Sequence, residues 1–135
     1  MSVILVPVDG SSHALKALHI ACDLADKYGA EIVLLNIIGT SNLTGAKELL
    51  DDNKNKGKKV LEQASSKARS RGVNCRSLAL EIGDPTEIIL ITAKHTGAST
   101  IVMGCRGVSD SEASSFGSVS QSVFKRSPCT CISVK

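Results

Sequence analysis

The chain has 135 residues and 42% hydrophobic content, which suits one domain with a real core. Its 16 Lys and Arg against 13 Asp and Glu leave a scattered net charge of +3, and its aromatic content is 2%. This argues against a nucleic-acid surface and a base-stacking platform. No apolar run approaches the ~20 residues of a membrane span, and Met1-Ser2 leads directly into a strand-like run without a signal peptide, so a cytoplasmic location is expected.

Val3 to Val8 is an apolar, β-branched run that reads as a strand buried on both faces, with Pro7 ending its ladder. Asp9-Gly10-Ser11-Ser12 is a turn with several possible helix caps. The first helix carries Ala14, Leu18, Ala21, Ala25 and Tyr28 at core spacing and stops at Gly29. Glu31 to Ile38 reads as the second buried strand. A polar loop from Gly39 to Thr44 leads to a long helical stretch from about Ala46 to Arg71. Its core stripe is thin: Ala46, Leu50, Gly57, Val60 or Leu61, Ala64 and Ala68. Gly57 weakens it by about 1 kcal/mol relative to alanine, and the part around Asp51 to Lys56 is expected to be irregular. Lys54, Lys56, Lys58 and Lys59 read as a solvated helix face.

Cys75 to Glu81 forms a third strand, its alternation suggesting a sheet edge. Gly83-Asp84-Pro85-Thr86-Glu87 is a strong helix start, with Asp84 as cap, Pro85 at the first helical position and Glu87 completing a capping box. Ile88, Ile89, Ile91 and Thr92 form that helix's core face, and Gly97 stops it. Ser99 to Met103 is the fourth strand, Val119 to Arg126 the fourth helix, and Cys129 to Val134 the fifth strand. Strictly alternating strands and helices with right-handed crossovers predict a doubly wound α/β domain, a parallel sheet covered on both faces. Ligands of such sheets bind beyond the carboxyl ends of the strands.

The five cysteines, Cys22, Cys75, Cys105, Cys129 and Cys131, are odd in number and contain no Cys-x-x-Cys pair, which argues against a disulfide framework. His13, His19 and His95 show no zinc-ligand spacing with them. All three histidines are expected on helices away from the glycine loop.

That loop, Gly104-Cys105-Arg106-Gly107, then nine residues, then Gly117-Ser118, joins the fourth strand to the fourth helix. Glycine admits close backbone approach, and the helix start offers unpaired N–H groups and a positive dipole end, a combination that suits phosphate. Arg106 is the strong cation of the motif, and Cys105 sits where a helix start can lower a thiol pKa. The spacing is neither the Walker pattern nor the dinucleotide fingerprint. A connection whose glycines only make turns is the alternative.

Together, the Gly104-x2-Gly107-x9-Gly117-Ser118 spacing, the opening Ile4-Leu5-Val6-Pro7-Val8-Asp9-Gly10-Ser11 and the Gly83-Asp84-Pro85 helix start resemble the universal stress protein family, in its ATP-binding branch. The resemblance spans essentially all of residues 1–135 as one domain. It implies a three-layer, Rossmann-like fold of the adenine nucleotide alpha hydrolase type, with a five-stranded parallel sheet in the order 3-2-1-4-5 and four helices. It implies that Pro7, Val8 and Asp9 line the adenine and ribose side, that Ile37 lies against adenine, and that Met103 flanks base or ribose. It assigns Gly104, Arg106 and Gly107, with Val108, Ser109 and Asp110, to ribose and phosphates, and Gly117, Ser118, Val119 and Ser120 to the β- and γ-phosphates. Asp9 has two readings, a Mg²⁺ ligand through water or a cap of the first helix.

Cys105 stands where the family more often has Ser or Thr. Asp110 and Glu112 could repel a triphosphate and favour AMP over ATP. The expected function is a cytoplasmic ATP-binding (or AMP- or ADP-binding) stress-response sensor that switches conformation or partners, without catalysis as its main role. A slow ATPase, or a homodimeric interaction module with little or no nucleotide binding, are the alternatives. The resemblance implies a homodimer through the C-terminal strand, Thr130 to Val134, with neither nucleic acid nor membrane as partner.

Overall fold

The computed structural model describes residues 2–39, 47–106 and 117–135. Nine elements alternate: β1 (Val3–Pro7), α1 (Ser12–Tyr28), β2 (Glu31–Gly39), α2 (Lys47–Ser70), β3 (Cys75–Gly83), α3 (Pro85–Thr96), β4 (Thr100–Gly104), α4 (Ser118–Arg126) and β5 (Thr130–Val134). The strands form one parallel sheet in the order β3-β2-β1-β4-β5, as expected.

Burial on both faces of the central strands gives the three layers. Ile4, Val6, Ile32, Leu34 and Val102 pack against α1 and α2, whereas Leu5, Val33, Leu35, Ile101 and Met103 belong to the opposite core with α3 and α4. Period-two alternation sorts each strand's side chains into these two aliphatic cores. Both edge strands, β3 and β5, are less buried.

Local chemistry sets the helix ends. Ser11 caps α1 by accepting from Ala14 N, and Gly29 closes it with φ +67°. Asp84 caps α3 by accepting from Glu87 N at 3.0 Å, and Pro85 takes the first turn. The expected capping box does not close, because the Glu87 carboxylate pairs with Arg126 of α4 at 2.6 Å. Two residues placed on core faces by periodicity are exposed instead: Tyr28 at 54% and Ile91 at 50%. Ile91 yields because Thr86, Ile89 and Ala93, spaced three and four apart, form the buried stripe of α3.

The stretch from Asp51 to Lys56 is continuous helix, not irregular. α2 is seated on the sheet at Gly57, which is buried. A Cβ there would lie 2.5 Å from Asn36 Oδ1 and 2.7 Å from Leu80 Cδ1. Glycine, poor in helix propensity, therefore permits a close approach of helix to sheet at this point.

Candidate functional site

The carboxyl ends of β1, β2 and β4 open into a cleft of about 570 Å³, within the size range of small-molecule sites. Its floor begins at β1. Val8 N donates to Leu35 O at 2.8 Å, and Val8 O accepts from Asn36 Nδ2 at 2.8 Å. Asn36 is 7% exposed. Its amide therefore satisfies a carbonyl that the ladder leaves open and fixes the last residue before the turn. Asp9 Oδ1 accepts from Ser11 N at 2.9 Å. Since Ser11 is the cap of α1, the cap reading of Asp9 is replaced by an Asx turn that delivers the chain to that cap.

The β4 side is held by a second set of bonds. Cys105 N donates to Val134 O at 2.7 Å, and Cys105 O accepts from Gly117 N. Ser120 Oγ lies 2.9 Å from the carbonyl oxygens of both Gly104 and Cys105. The buried Ser120 hydroxyl thus clamps the chain leaving β4 to the start of α4, so its proton is directed at backbone rather than at an incoming phosphate. Gly104 has no room for a side chain, as a Cβ would lie 2.8 Å from His13 Cβ. His13 Nδ1 lies 3.4 Å from the buried Cys105 Sγ. This corrects the expectation that all three histidines stand away from the loop: the first turn of α1 packs directly on the β4 exit.

The start of α4 has features that suit an anion. No side chain caps it at Gly117, and its first internal bond runs from Gln121 N to Gly117 O. The N–H groups of Ser118, Val119 and Ser120 precede that bond, and all three residues line the cleft. An oxyanion placed there meets donors and a partial positive charge.

Of the residues expected at the site, Pro7, Val8, Asp9, Ile37, Met103, Gly104, Arg106, Ser118, Val119 and Ser120 line this one cleft, and Gly117 caps the adjoining helix. Gly107, Val108, Ser109 and Asp110, like Glu112, lie outside the described residues. Sequence reading gave Asn36 no role at the site and missed the α2 wall, Asn53, Lys56, Gly57 and Val60. An asparagine in the middle of an otherwise apolar strand was the available signal for Asn36. Lys56 departs from the solvated-face reading, for it is exposed yet borders the cleft.

Asp9 is the carboxylate among the described lining residues, and no group of three or more His, Cys, Asp or Glu among the described residues is placed to hold a metal. A Mg²⁺ ion here would therefore depend on phosphate oxygens, with Asp9 alone from these walls. No helix among the described residues is long and apolar enough to cross a membrane.

Comparison with known proteins gives the same architecture. The family model described as the universal stress protein family matches residues 1–135. Universal stress protein YxiE of Bacillus subtilis is 36% identical, with 97% of each chain covered. Universal stress protein UspA from Lactobacillus plantarum superimposes with a TM-score of 0.90 at 26% identity, covering 99% of this chain and 97% of that one. The universal stress protein from Archaeoglobus fulgidus, solved in complex with dAMP, superimposes with a TM-score of 0.78 at 25% identity, covering 100% of this chain and 98% of that one. The chain belongs to the universal stress protein family.

Proposed function

We propose that this protein binds an adenine nucleotide, ATP, ADP or AMP, in the cleft at the ends of β1, β2 and β4, and works as a single-domain cytoplasmic regulatory module rather than as an enzyme. The uncapped start of α4 carries the reading: three N–H groups and a helix dipole stand at a cleft that is also lined by apolar Ile37 and Met103. In this reading the base rests between Pro7, Val8, Ile37 and Met103. The phosphates rest against Gly104, Arg106 and Ser118 to Ser120, with Gly107, Val108, Ser109, Asp110 and Gly117 completing the loop. Where a polyphosphate brings Mg²⁺, Asp9 would be the residue to hold it, through water. The dAMP complex of the Archaeoglobus fulgidus relative supports the ligand class.

A nucleotide regulates by binding one conformation better than another. Binding to the folded state alone raises thermal stability with concentration. Adenine nucleotide should thus raise the melting temperature, and Gly117→Val, which puts a branched side chain at the helix start, should remove the shift. The absence of any shift with ATP, ADP or AMP in the unaltered protein would overturn the reading.

A second observation supports self-association through β5. The two sheet edges differ in chemistry. β3 carries Arg76 and Glu81, whereas Thr130-Cys131-Ile132-Ser133-Val134 bears no charge. Thr130 N and Val134 O bond toward β4. Alternation therefore turns the N–H groups of Cys131 and Ser133 outward, where a second copy could pair. Ser133→Pro removes one outward donor and should yield monomers in sedimentation velocity. A dimer of unchanged affinity would exclude this edge.

A further inference from the structure

The four helices are not anchored alike. In α1, α3 and α4 a buried residue falls within the first turn: Ala14, Thr86 and Ser120. In α2 none of Leu49 to Lys56 is buried, and Gly57 begins a regular buried stripe continued by Leu61, Ala64, Ser65 and Ala68. Asp51, Asp52, Asn53 and Asn55 are also weak helix formers, as is Gly57 itself. About two turns of α2 therefore lack both packing and propensity, a combination that lets a segment open at little cost.

The place of this segment in the fold gives it a ligand to close on. Gly57 faces Asn36 and Leu80, which pair across β2 and β3 three residues before those strands end at Gly39 and Gly83. α2 runs back against the strands it packs on, so the turns before Gly57 lie at the carboxyl end of the sheet. There Asn53 and Lys56 line the cleft together with Ile37, Ile38 and Gly39. This is the β2 flank, with β1 between it and the glycine loop that follows β4.

We propose that Leu49 to Lys56 form a flap hinged at Gly57, which opens readily in the nucleotide-free protein and closes on the base end of a bound adenine nucleotide through Asn53 and Lys56. This rests on the nucleotide reading above and deepens it, since it names the element whose conformation the ligand selects. Asn53 offers a donor and an acceptor, and Lys56 offers three donors. The edge of adenine presents ring-nitrogen acceptors and an amino donor, so both side chains find partners on a base that rests at Ile37. Glycine gives the hinge the widest backbone freedom, and its seat on Asn36 fixes where the pivot lies. The part of α2 from Leu61 onward stays on the sheet through its buried stripe. Closure also orders the exposed face of the flap, at Asp51, Asp52 and Asn55, and so presents a partner with a surface that depends on the ligand.

The test is amide hydrogen exchange of the intact protein, read by mass spectrometry with and without saturating AMP, with binding measured by calorimetry on the same samples. Without nucleotide, the amides of residues 51–56 should exchange at least about tenfold faster than those of residues 61–68. Saturating AMP should slow residues 51–56 about five- to tenfold, as expected for two added polar contacts, and leave residues 61–68 as they were. The double variant Asn53→Ala with Lys56→Ala should still bind AMP, more weakly, but should gain no protection at residues 51–56 on saturation. The change on binding is the readout there, because alanine by itself strengthens the helix. Lys58→Ala, which alters an exposed residue outside the cleft lining, should keep the full gain. Residues 51–56 as slow as residues 61–68 without nucleotide, no added protection in protein that calorimetry shows to be saturated, or a gain that survives in the double variant would each overturn the flap while leaving nucleotide binding intact. Binding of neither AMP nor ATP would overturn the nucleotide reading itself, and this inference with it.

Discussion

Gly57→Ala sets two effects against each other within one residue. Helix propensity alone favours alanine by about 1 kcal/mol at an interior position. The structure opposes this, since the added carbon would lie 2.5 Å from Asn36 Oδ1, 3.3 Å from Asn36 Cγ and 2.7 Å from Leu80 Cδ1. Leu80 is half-buried and can turn aside. Asn36 cannot, because it is buried and its Nδ2 holds Val8 O at 2.8 Å. Restoring ordinary contact needs α2 to lift by about 1 Å, or Asn36 to release Val8. Overpacking of this kind costs about 1 to 3 kcal/mol. A buried carbonyl left without its partner costs a similar ~1 to 3 kcal/mol.

After the propensity gain is subtracted, the variant should be destabilised by up to about 2 kcal/mol. Urea unfolding followed by circular dichroism measures this directly. With a slope of roughly 1.5 kcal/mol per molar, the midpoint should fall by up to about 1.3 M. Nucleotide affinity should fall as well, since Val8 and Asp9 lose their anchor. A variant more stable than the parent would refute the account: α2 would then not be seated through Gly57, and propensity would act alone.

Further outcomes follow from the same geometry. Ser120→Ala removes the hydroxyl that lies 2.9 Å from both the Gly104 and Cys105 carbonyls; it should cost about 1 to 2 kcal/mol and weaken nucleotide binding, and an unchanged melting curve would contradict that clamp. Burial pushes the thiols of Cys22, Cys75 and Cys131 above the ordinary 9.0, partly offset by Arg71 at Cys22, by Ser65 at Cys75 and by Ser127 at Cys131. Between 9.0 and those raised values the unfolded chain holds fewer thiol protons than the folded one, so stability falls as pH rises through that window and is insensitive to these groups below it. Urea midpoints at pH 8 and pH 10 measure the slope, which should be shallower in Cys75→Ala; an identical slope would remove that thiol from the account.

The fold was legible because its signals are local and repeated. Buried β-branched runs at Val3 to Val8 and Glu31 to Ile38, with Gly29 and Gly97 at helix ends and Asp84-Pro85 at a helix start, leave little choice beyond alternating strand and helix. The glycine-loop side of the cleft was legible for the same reason, since Gly104 and Gly117-Ser118 bracket a strand exit and a helix start. Tertiary contacts between distant segments were not. His13 touches Cys105 across 92 positions, and nothing local in either residue announces it. Lys56 looked like one lysine among four, and only the seat at Gly57 separates it from Lys58. Gly57 itself read as a flaw in a weak helix, because propensity records what a residue does to its own helix and not what it allows the neighbouring strand to do. Glu87 kept its place in the capping pattern, but its carboxylate found a charge-assisted partner in Arg126.

The central claim is that an adenine nucleotide binds at the ends of β1, β2 and β4 with its phosphates on α4. Amide-resolved NMR titration with AMP and ATP tests it most directly. The account predicts saturable shifts concentrated at Val8, Asp9, Ile37, Gly104 and Ser118 to Ser120, largest for the three α4 amides that have no helical acceptor. Shifts confined to a surface away from these residues, or none at millimolar nucleotide, would contradict it.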